Sequence, residues 1–343
     1  MKPSLPALAA AAVLGATTLG AHAQSSVTVY GIIDLGGVVD SGATAGKSVR
    51  LSSGVARASR LGFKGVEDLG KGYKAGFTIE TGYCADSAAG APNFCSGNNQ
   101  FMGRTAHGDL SGSFGHLSAG REYSLAYSNL GAIDPFGNGY SARVTNLLDG
   151  SAVRLNNAVQ YHSPKFGGVV ASAEFALGET TGNFAASREL GASVVWASGP
   201  AYVGAALYQA NNANGHGIAR RNWQLGGTYD FKVVRLHALL QKSDGDPTNE
   251  ASLDVLEWMG GVSVPLGGGS LMASYLHHDD RGVKDHDATQ AGIGYNYPLS
   301  KRTSVYASFA HIVNHNGATF KVGNQTETGT GNQAFSLGAM HSF

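Results

Sequence analysis

The feature of this chain that most constrains its fold is a recurring alternation: segments of about ten residues, in which every second side chain is apolar, run from residue 25 to residue 343. Sixteen such segments can be read, at 25–38, 56–67, 72–84, 101–110, 115–127, 153–163, 168–178, 188–198, 201–211, 221–231, 234–243, 255–266, 269–279, 287–298, 303–314 and 333–343. An extended chain sends successive side chains to opposite faces, so each segment has a greasy face and a polar one. No long stretch has a convincing period of 3.6. After the first 23 residues no apolar run approaches the roughly 18 residues that a helical membrane span needs.

The last segment shows what this pattern demands. Phe335, Leu337, Ala339, His341 and Phe343 share one face, opposite Ala334, Ser336, Gly338, Met340 and Ser342. An apolar strand of this kind must be held on both edges. The first segment, SSVTVYGIIDLGG, offers the missing partner, with Val27, Val29, Ile33 and Leu35 opposite Tyr30 and Asp34.

The connections alternate between short and long. EDLGKG, SGSFG, SPKFGG, ASGPA, DFKV, PLGGG and PLSKR are tight turns, whereas 39–55, 85–100, 128–152, 244–254 and 315–332 are long and polar. An even number of such strands, trimmed at one rim and ornate at the other, is the pattern of an outer-membrane barrel. Hydrocarbon supplies no hydrogen bonds, so a sheet crosses it only when no edge is left free. A soluble sandwich or jelly roll is the competing reading, but its strands average about five to six residues and would not show this rhythm. The expected fold is therefore all-β: a transmembrane 16-stranded antiparallel up-and-down barrel.

Composition agrees. The 50 glycines are about twice the number that average usage of roughly 7% would give, and they sit inside the alternating segments, where they mark bends and close backbone approach. Residues 1–23 read as a secretory signal: Lys2, an apolar run from Leu5 to Leu19, and the small-x-small ending Ala21, His22, Ala23. The run is short for a membrane anchor. The barrel is then residues 24–343, with 24 acids against 23 bases and no field that would draw nucleic acid. The two cysteines, Cys84 and Cys95, fit a disulfide across an exposed loop better than a metal pair in an exported chain.

The stretches SRLGFKGVEDLGKGYKAGFTIETGY and GRTAHGDLSGSFGHLSAGREYSLAYS, with the start VTVYGIIDLG and the terminal Phe343, resemble the trimeric sixteen-stranded general porins of Gram-negative bacteria, in the branch with a YG-x-x-D start. The resemblance covers residues 24–343 in strand and loop order. It implies a water-filled channel for passive diffusion of small hydrophilic solutes and ions, with no cofactor and no metal. It further implies a homotrimer in contact with lipopolysaccharide and outer-membrane lipid. Insertion by the barrel-assembly machinery would proceed through the C-terminal strand and Phe343.

The residues are consistent with that implication. Arg60 and Lys64 lie opposite Leu61 and Phe63; Lys74 and Glu80 lie opposite Tyr73, Phe77 and Ile79; Arg104 lies opposite Phe101 and Gly103. Arg121 and Arg154 add cations on neighbouring segments. An arginine facing lipid at the midplane costs about 2–4 kcal/mol, so the lumen is the expected side for all of them, with a rim or lipopolysaccharide phosphates as the alternative. Residues 128–152 resemble the porin third loop, which folds into the barrel, with Asp134, Pro135, Phe136 and Gly137 at its tip. Only Asp134 and Asp149 supply acid on this loop, beside Arg143. Against Arg60, Lys64, Arg104, Arg121 and Arg154, a mildly anion-preferring constriction is expected, with Asp34, Glu80 and Glu122 offsetting part of the charge.

Three other signals carry less. GATAGKS at 42–48 has three residues between its glycines where a phosphate loop needs four, and no helix follows. The run HHDDRGVKDHD at 277–287 is the most metal-like cluster, and an ordinary solvated loop is the better reading. A barrel enzyme would need a Ser/His or Asp/His set at a rim, and no motif flanks one. A substrate-specific channel is the stronger alternative, for which Tyr127, Phe136 and Tyr140 near the third loop would form an aromatic slide.

Overall fold

The computed structural model describes residues 26–87, 100–148, 151–245 and 253–343. The expected signal at 1–23, Cys95 and Asp149 lie outside these residues. Cys84 is not a free thiol.

Strands β1 (Ser26–Ala43), β2 (Gly46–Ser53), β3 (Arg60–Gly70), β4 (Tyr73–Gly82), β5 (Thr105–Gly112) and β6 (Gly115–Tyr123) precede one helix, α1 (Leu125–Ile133). Then follow β7 (Arg154–His162), β8 (Val169–Ala176), β9 (Glu189–Ser198), β10 (Ala201–Asn211), β11 (Ile218–Asp230) and β12 (Arg235–Gly245). The last are β13 (Leu253–Leu266), β14 (Gly269–Asp280), β15 (Ala288–Pro298), β16 (Thr303–Asn314) and β17 (Gln333–Ser342). From β3 onward each strand pairs antiparallel with the next, and β17 pairs back onto β1 from Ile32↔Ser342 to Ser41↔Gln333. The ring is closed.

Seventeen strands make sixteen wall positions because β2 and β3 share one edge of β1. The outer half of β1, Leu35–Ala43, pairs with β2, and the inner half, Ser26–Ile32, pairs with β3. Residues 39–55, expected as a long loop, are therefore mostly a hairpin. The GATAGKS stretch is its tip, with Gly42 and Gly46 at φ 86° and 97°. A short break, 54–59, separates β2 from β3. The sequence expectation of strand through 115–127 also stops early: β6 ends at Tyr123 and α1 begins two residues later. The Ser124 hydroxyl accepts the Tyr127 N–H, and the Glu174 carboxylate accepts the Leu125 N–H, satisfying two of the groups a helix start leaves open.

Register assigns the faces. Val29, Phe63, Ile79, Ala106 and Arg121 form one row across β1 and β3–β6, and Leu225, Leu240, Trp258, His277, Thr289 and Val313 form another across β11–β16. Val29, Leu225, Leu240, Trp258 and Val313 are exposed and the other members are half-buried, as a mostly apolar, lipid-facing wall requires. The row beside the second is polar and buried. Asn129 of α1 donates to Gln224, Gln224 to Gln241, and Gln241 to Glu257, whose other oxygen meets His278 Nδ1 at 2.9 Å. This row faces the interior, and it ties the helix to the wall. His277 and His278 consequently point to opposite sides. Asp280 and Asp287 accept backbone N–H groups of their own loop, so the 277–287 run folds as a self-bonded turn. Among the described residues no cluster of three ligating side chains could hold a metal ion.

The seam between first and last strands is tight at Phe343. Its backbone exchanges two hydrogen bonds with Gly31 (3.2 and 3.1 Å), and its ring lies where a Gly31 side chain would stand. A Cβ there would be 2.4 Å from Phe343 Cζ and 2.6 Å from the Arg60 carbonyl oxygen, which cannot move aside. Gly31→Val is expected to cost about 1–3 kcal/mol by overpacking. The temperature at which the folded band converts to the unfolded one in detergent gels should fall by several degrees, and an unchanged temperature would show that the seam tolerates the bulk.

Candidate functional site

The connection from β6 to β7 runs inside the barrel, and the wall is shaped to receive it. Glycines on interior-facing positions clear its track: a Cβ at Gly226 would meet Ile133, at Gly261 Pro135, at Gly292 Ala142 and at Gly294 Phe136, at 2.3–3.0 Å. Hydrogen bonds then fasten it. His237 lies 2.7 Å from the Ile133 carbonyl, Ser141 bonds Ser308 and Ser336, and Gln290 reaches the carbonyls of Ala142 and Arg143.

Asp134 pins the tip. Its carboxylate accepts the backbone N–H groups of Phe136, Asn138 and Val144 at 3.0–3.1 Å. Burial pushes this carboxyl up to about 6, against the pull of those donors and of Arg143. Beyond it the chain turns through three left-handed residues, Gly137, Asn138 and Tyr140, at φ 58°, 58° and 60°. Tyr140 holds this strained conformation by donating its N–H to Val55 and by edge contacts with Phe136 and Tyr306. Burial also raises its phenol to about 12.

The tip lies against the break in the wall. A Cβ at Gly139 would be 2.0 Å from the Ala56 carbonyl oxygen, so backbone meets backbone there. Asp34, buried beneath, accepts the N–H groups of Ala56 and Arg57 and the Tyr306 hydroxyl, replacing ladder bonds that the break gives up. Within this buried segment Arg57 alone projects outward, toward the tip at Gly137.

Between the loop and the β3–β6 wall lies a cavity of about 250 Å³, lined by Arg57, Arg60, Tyr123, Tyr127, Ser128, Gly131, Gly137, Asn138 and Gln325. Helix α1 presents Tyr127, Ser128 and Gly131 to it and buries Leu125, Ala126, Asn129, Leu130 and Ile133 against the wall. Across the opening, Arg104 bonds Glu80 at 2.6 Å and the Tyr123 hydroxyl, and Arg154 bonds the same hydroxyl at 2.7 Å with its guanidinium 4.3 Å above the ring. Arg60 is tied to the Ala58 carbonyl and stands 3.7 Å from Glu80. Four guanidiniums thus gather around one region, where Glu80 meets Arg104 and, at 3.7 Å, Arg60.

The structure brings Arg60, Glu80, Arg104 and Arg154 together and separates the other expected residues from them. Lys64 faces the same side four residues farther along β3 than Arg60, its ammonium 5.7 Å from the Tyr30 ring. Asp134 and Phe136 are buried anchors of the loop and do not line the opening. Arg121 falls in the outer row of Val29, Phe63, Ile79 and Ala106, where it bonds the Gly103 carbonyl and Asn156, so its expected lumen position is corrected. Leu117 and Ala119 precede it on the same face, and the bulge between Gly120 and Glu122 lies in the pairing with β7. Glu122 is bonded to Ser118, whereas Asp34 lies beneath Arg57, accepting its backbone N–H and interacting with its charge.

Sequence reading missed Arg57, Tyr123 and Gln325. Arg57 lay at the start of an expected strand, and only the break turns it into the opening. Gln325 belongs to the 315–332 connection, expected at the outer rim, which instead folds onto the third loop: Gly323 N–H donates to Asn146, Gln325 to the Asn138 carbonyl and Thr326 to the Ser53 carbonyl.

Comparison with known proteins follows the same lines. A family model described as Gram-negative porin matches residues 7–318. Outer membrane porin protein 32 of Delftia acidovorans is 34% identical over 334 residues, covering 93% of this chain and 92% of that one. Major outer membrane protein P.IB of Neisseria meningitidis serogroup B is 29% identical, covering 90% and 92%. Among solved structures, the anion-selective porin from Comamonas acidovorans superposes with a TM-score of 0.78 at 30% identity, covering 93% of this chain and 100% of that one. The trimer form of OmpT from Vibrio cholerae shares the fold at 16% identity, with a TM-score of 0.69.

Because Asp134 serves three buried N–H groups, Asp134→Ala should leave each without an acceptor, at about 1–3 kcal/mol apiece. The expected result is a folded barrel with a loosened loop: noisier open-channel current and new protease cleavage within 134–148. A quiet current and an uncleaved loop would show that the wall contacts suffice.

Proposed function

This chain belongs to the Gram-negative porin family, an outer-membrane family, and on that premise we propose that it forms a passive, water-filled channel for small hydrophilic solutes that prefers anions. The observation that carries the preference is the gathering of Arg57, Arg60, Arg104 and Arg154 around one opening, where Glu80 offsets part of their charge. An ion entering the opening sheds part of its hydration and meets guanidinium donors. Two unit charges about 4 Å apart interact by about 1 kcal/mol in water and about 4 kcal/mol at an effective dielectric of 20. A chloride is stabilised and a potassium ion repelled by fractions of that sum, which is enough to bias flux without trapping the anion. The likeness to an anion-selective porin supports the same sign. The third loop sets the size limit, and no chemical step is involved.

The assembly proposed is a homotrimer. Its support is the outer face of β3–β6, where Gly65, Gly108, Ala106 and Ala119 leave a flattened apolar wall beside exposed Val27, Val29 and Phe77. Arg121 stands in that wall. The rest of the band would contact lipid and lipopolysaccharide, and the Cys84–Cys95 bridge would staple the second long loop.

Reversal potentials across a potassium chloride gradient test the selectivity. The refolded protein should lean toward chloride, and Arg57→Ala should lower the chloride-to-potassium permeability ratio about two- to fivefold, the equivalent of roughly 0.4–1 kcal/mol. A cation-selective potential, or a ratio indifferent to Arg57, would sink the reading. Unheated samples should migrate as a trimer in detergent gels, and a monomeric mass in mild detergent would refute the assembly.

A further inference from the structure

Tyr123 and Tyr127 do something that anion preference by itself does not require. Their rings are parallel, 5° apart in tilt with centroids 5.5 Å apart, and both line the cavity that Arg57 and Arg60 enter. A water-filled opening that sorted ions by charge alone would gain nothing from two stacked aromatic faces, which are poorly hydrated and cost lumen width.

The pair is also held firmly. The Tyr123 hydroxyl accepts from both Arg104 and Arg154, and the Arg154 guanidinium covers its ring at 4.3 Å. Tyr127 sits on α1, whose start is capped by Ser124 and Glu174 and whose far side is bonded to Gln224 through Asn129. Asn138 donates to the Tyr127 carbonyl. A flat π surface fixed in this way is prepared to receive another ring.

The charged groups beside it are not equally committed. Arg104 and Arg154 are spent on Glu80 and Tyr123. Arg57 has no ion-pair or side-chain hydrogen-bond partner among the described residues, and Arg60 uses one nitrogen on Ala58 and is 3.7 Å from Glu80. Guanidinium donors in a planar fork suit a carboxylate. The cavity, about 250 Å³, lies just below the usual range for drug-sized ligands, which limits an occupant to about one ring. Ser128, Asn138 and Gln325 supply polar atoms at its rim.

We propose that this cavity is a binding subsite for small aromatic carboxylates, the Tyr123–Tyr127 stack taking the ring and Arg57 with Arg60 taking the carboxylate. The inference rests on the channel reading above and narrows its solute class. Binding is weak, with a Kd of about 1–10 mM, because a solute that bound tightly would block the path it uses.

The test uses the full refolded protein in planar bilayers, with benzoate and cyclohexanecarboxylate as probes of equal charge and similar size. Each is titrated against the potassium chloride current, and block is normalised to each variant's own current. Benzoate should block saturably at millimolar concentration, at least fivefold more strongly than cyclohexanecarboxylate. Tyr127→Leu should erase that ratio, Tyr127→Phe should keep it, and Arg57→Gln should weaken both acids alike. Equal block by the two acids in the unsubstituted protein overturns the subsite and leaves the porin reading intact, as does a ratio that survives Tyr127→Leu. A folded, inserted protein that carries no chloride-preferring current would overturn the channel reading, and this inference with it.

Discussion

Everything in this molecule depends on the pairing of its first strand with its last. A backbone N–H or C=O left unpaired in hydrocarbon costs several kcal/mol, so a membrane-spanning sheet has no tolerable edge. The β1–β17 ladder removes both edges at once. Its demands reach the side chains: Gly31 is small because the Phe343 ring occupies its space, and Gly338 and Gly36 are small because the Tyr306 hydroxyl does. That hydroxyl in turn meets Asp34, the carboxylate that supports the break between β2 and β3. The seam that closes the wall thus also builds the place where the wall opens toward the lumen.

The interior solves a second problem, that of burying a polar loop against a polar wall. Neither surface can be apolar throughout, so each contact must be satisfied bond by bond. Glycines permit the approach and amides complete it: the Asn129–Gln224–Gln241–Glu257–His278 series and the Gln290–Asn146 pair join loop to wall without leaving their own groups idle. The glycine excess in the sequence follows in part from this packing. The final long connection adds a second layer, since Gln325 and Thr326 fasten the loop tip to the hairpin beside it.

At the opening, like charges are held together by geometry that the rest of the fold supplies. Four guanidiniums gathered near Glu80 repel one another, and they persist because Tyr123, Glu80 and the Ala58 carbonyl accept from three of them while wall strands fix their origins. The residual positive field is what a passing anion experiences. Arg57 contributes most freely, because nothing among the described side chains competes for its donors.

The alternation of period two determined the strands, and with the rhythm of turns it determined closure, strand number and the side of each charge on a regular strand. Arg60, Glu80 and Lys64 were legible for that reason: between well-paired neighbours a residue's parity is its address. Arg121 has the same parity as Leu117 and Ala119, and the cost of a lipid-facing arginine, set above that parity, misplaces it. Helix α1 was not legible, because its nine residues owe their helicity to Ser124, Glu174 and the wall rather than to a pattern long enough to read. Arg57, Tyr123 and Gln325 come to one cavity from three distant segments. Local sequence determines which way a side chain leaves its own strand; which distant side chains share a space is decided only when register, break and loop tip are set together in three dimensions.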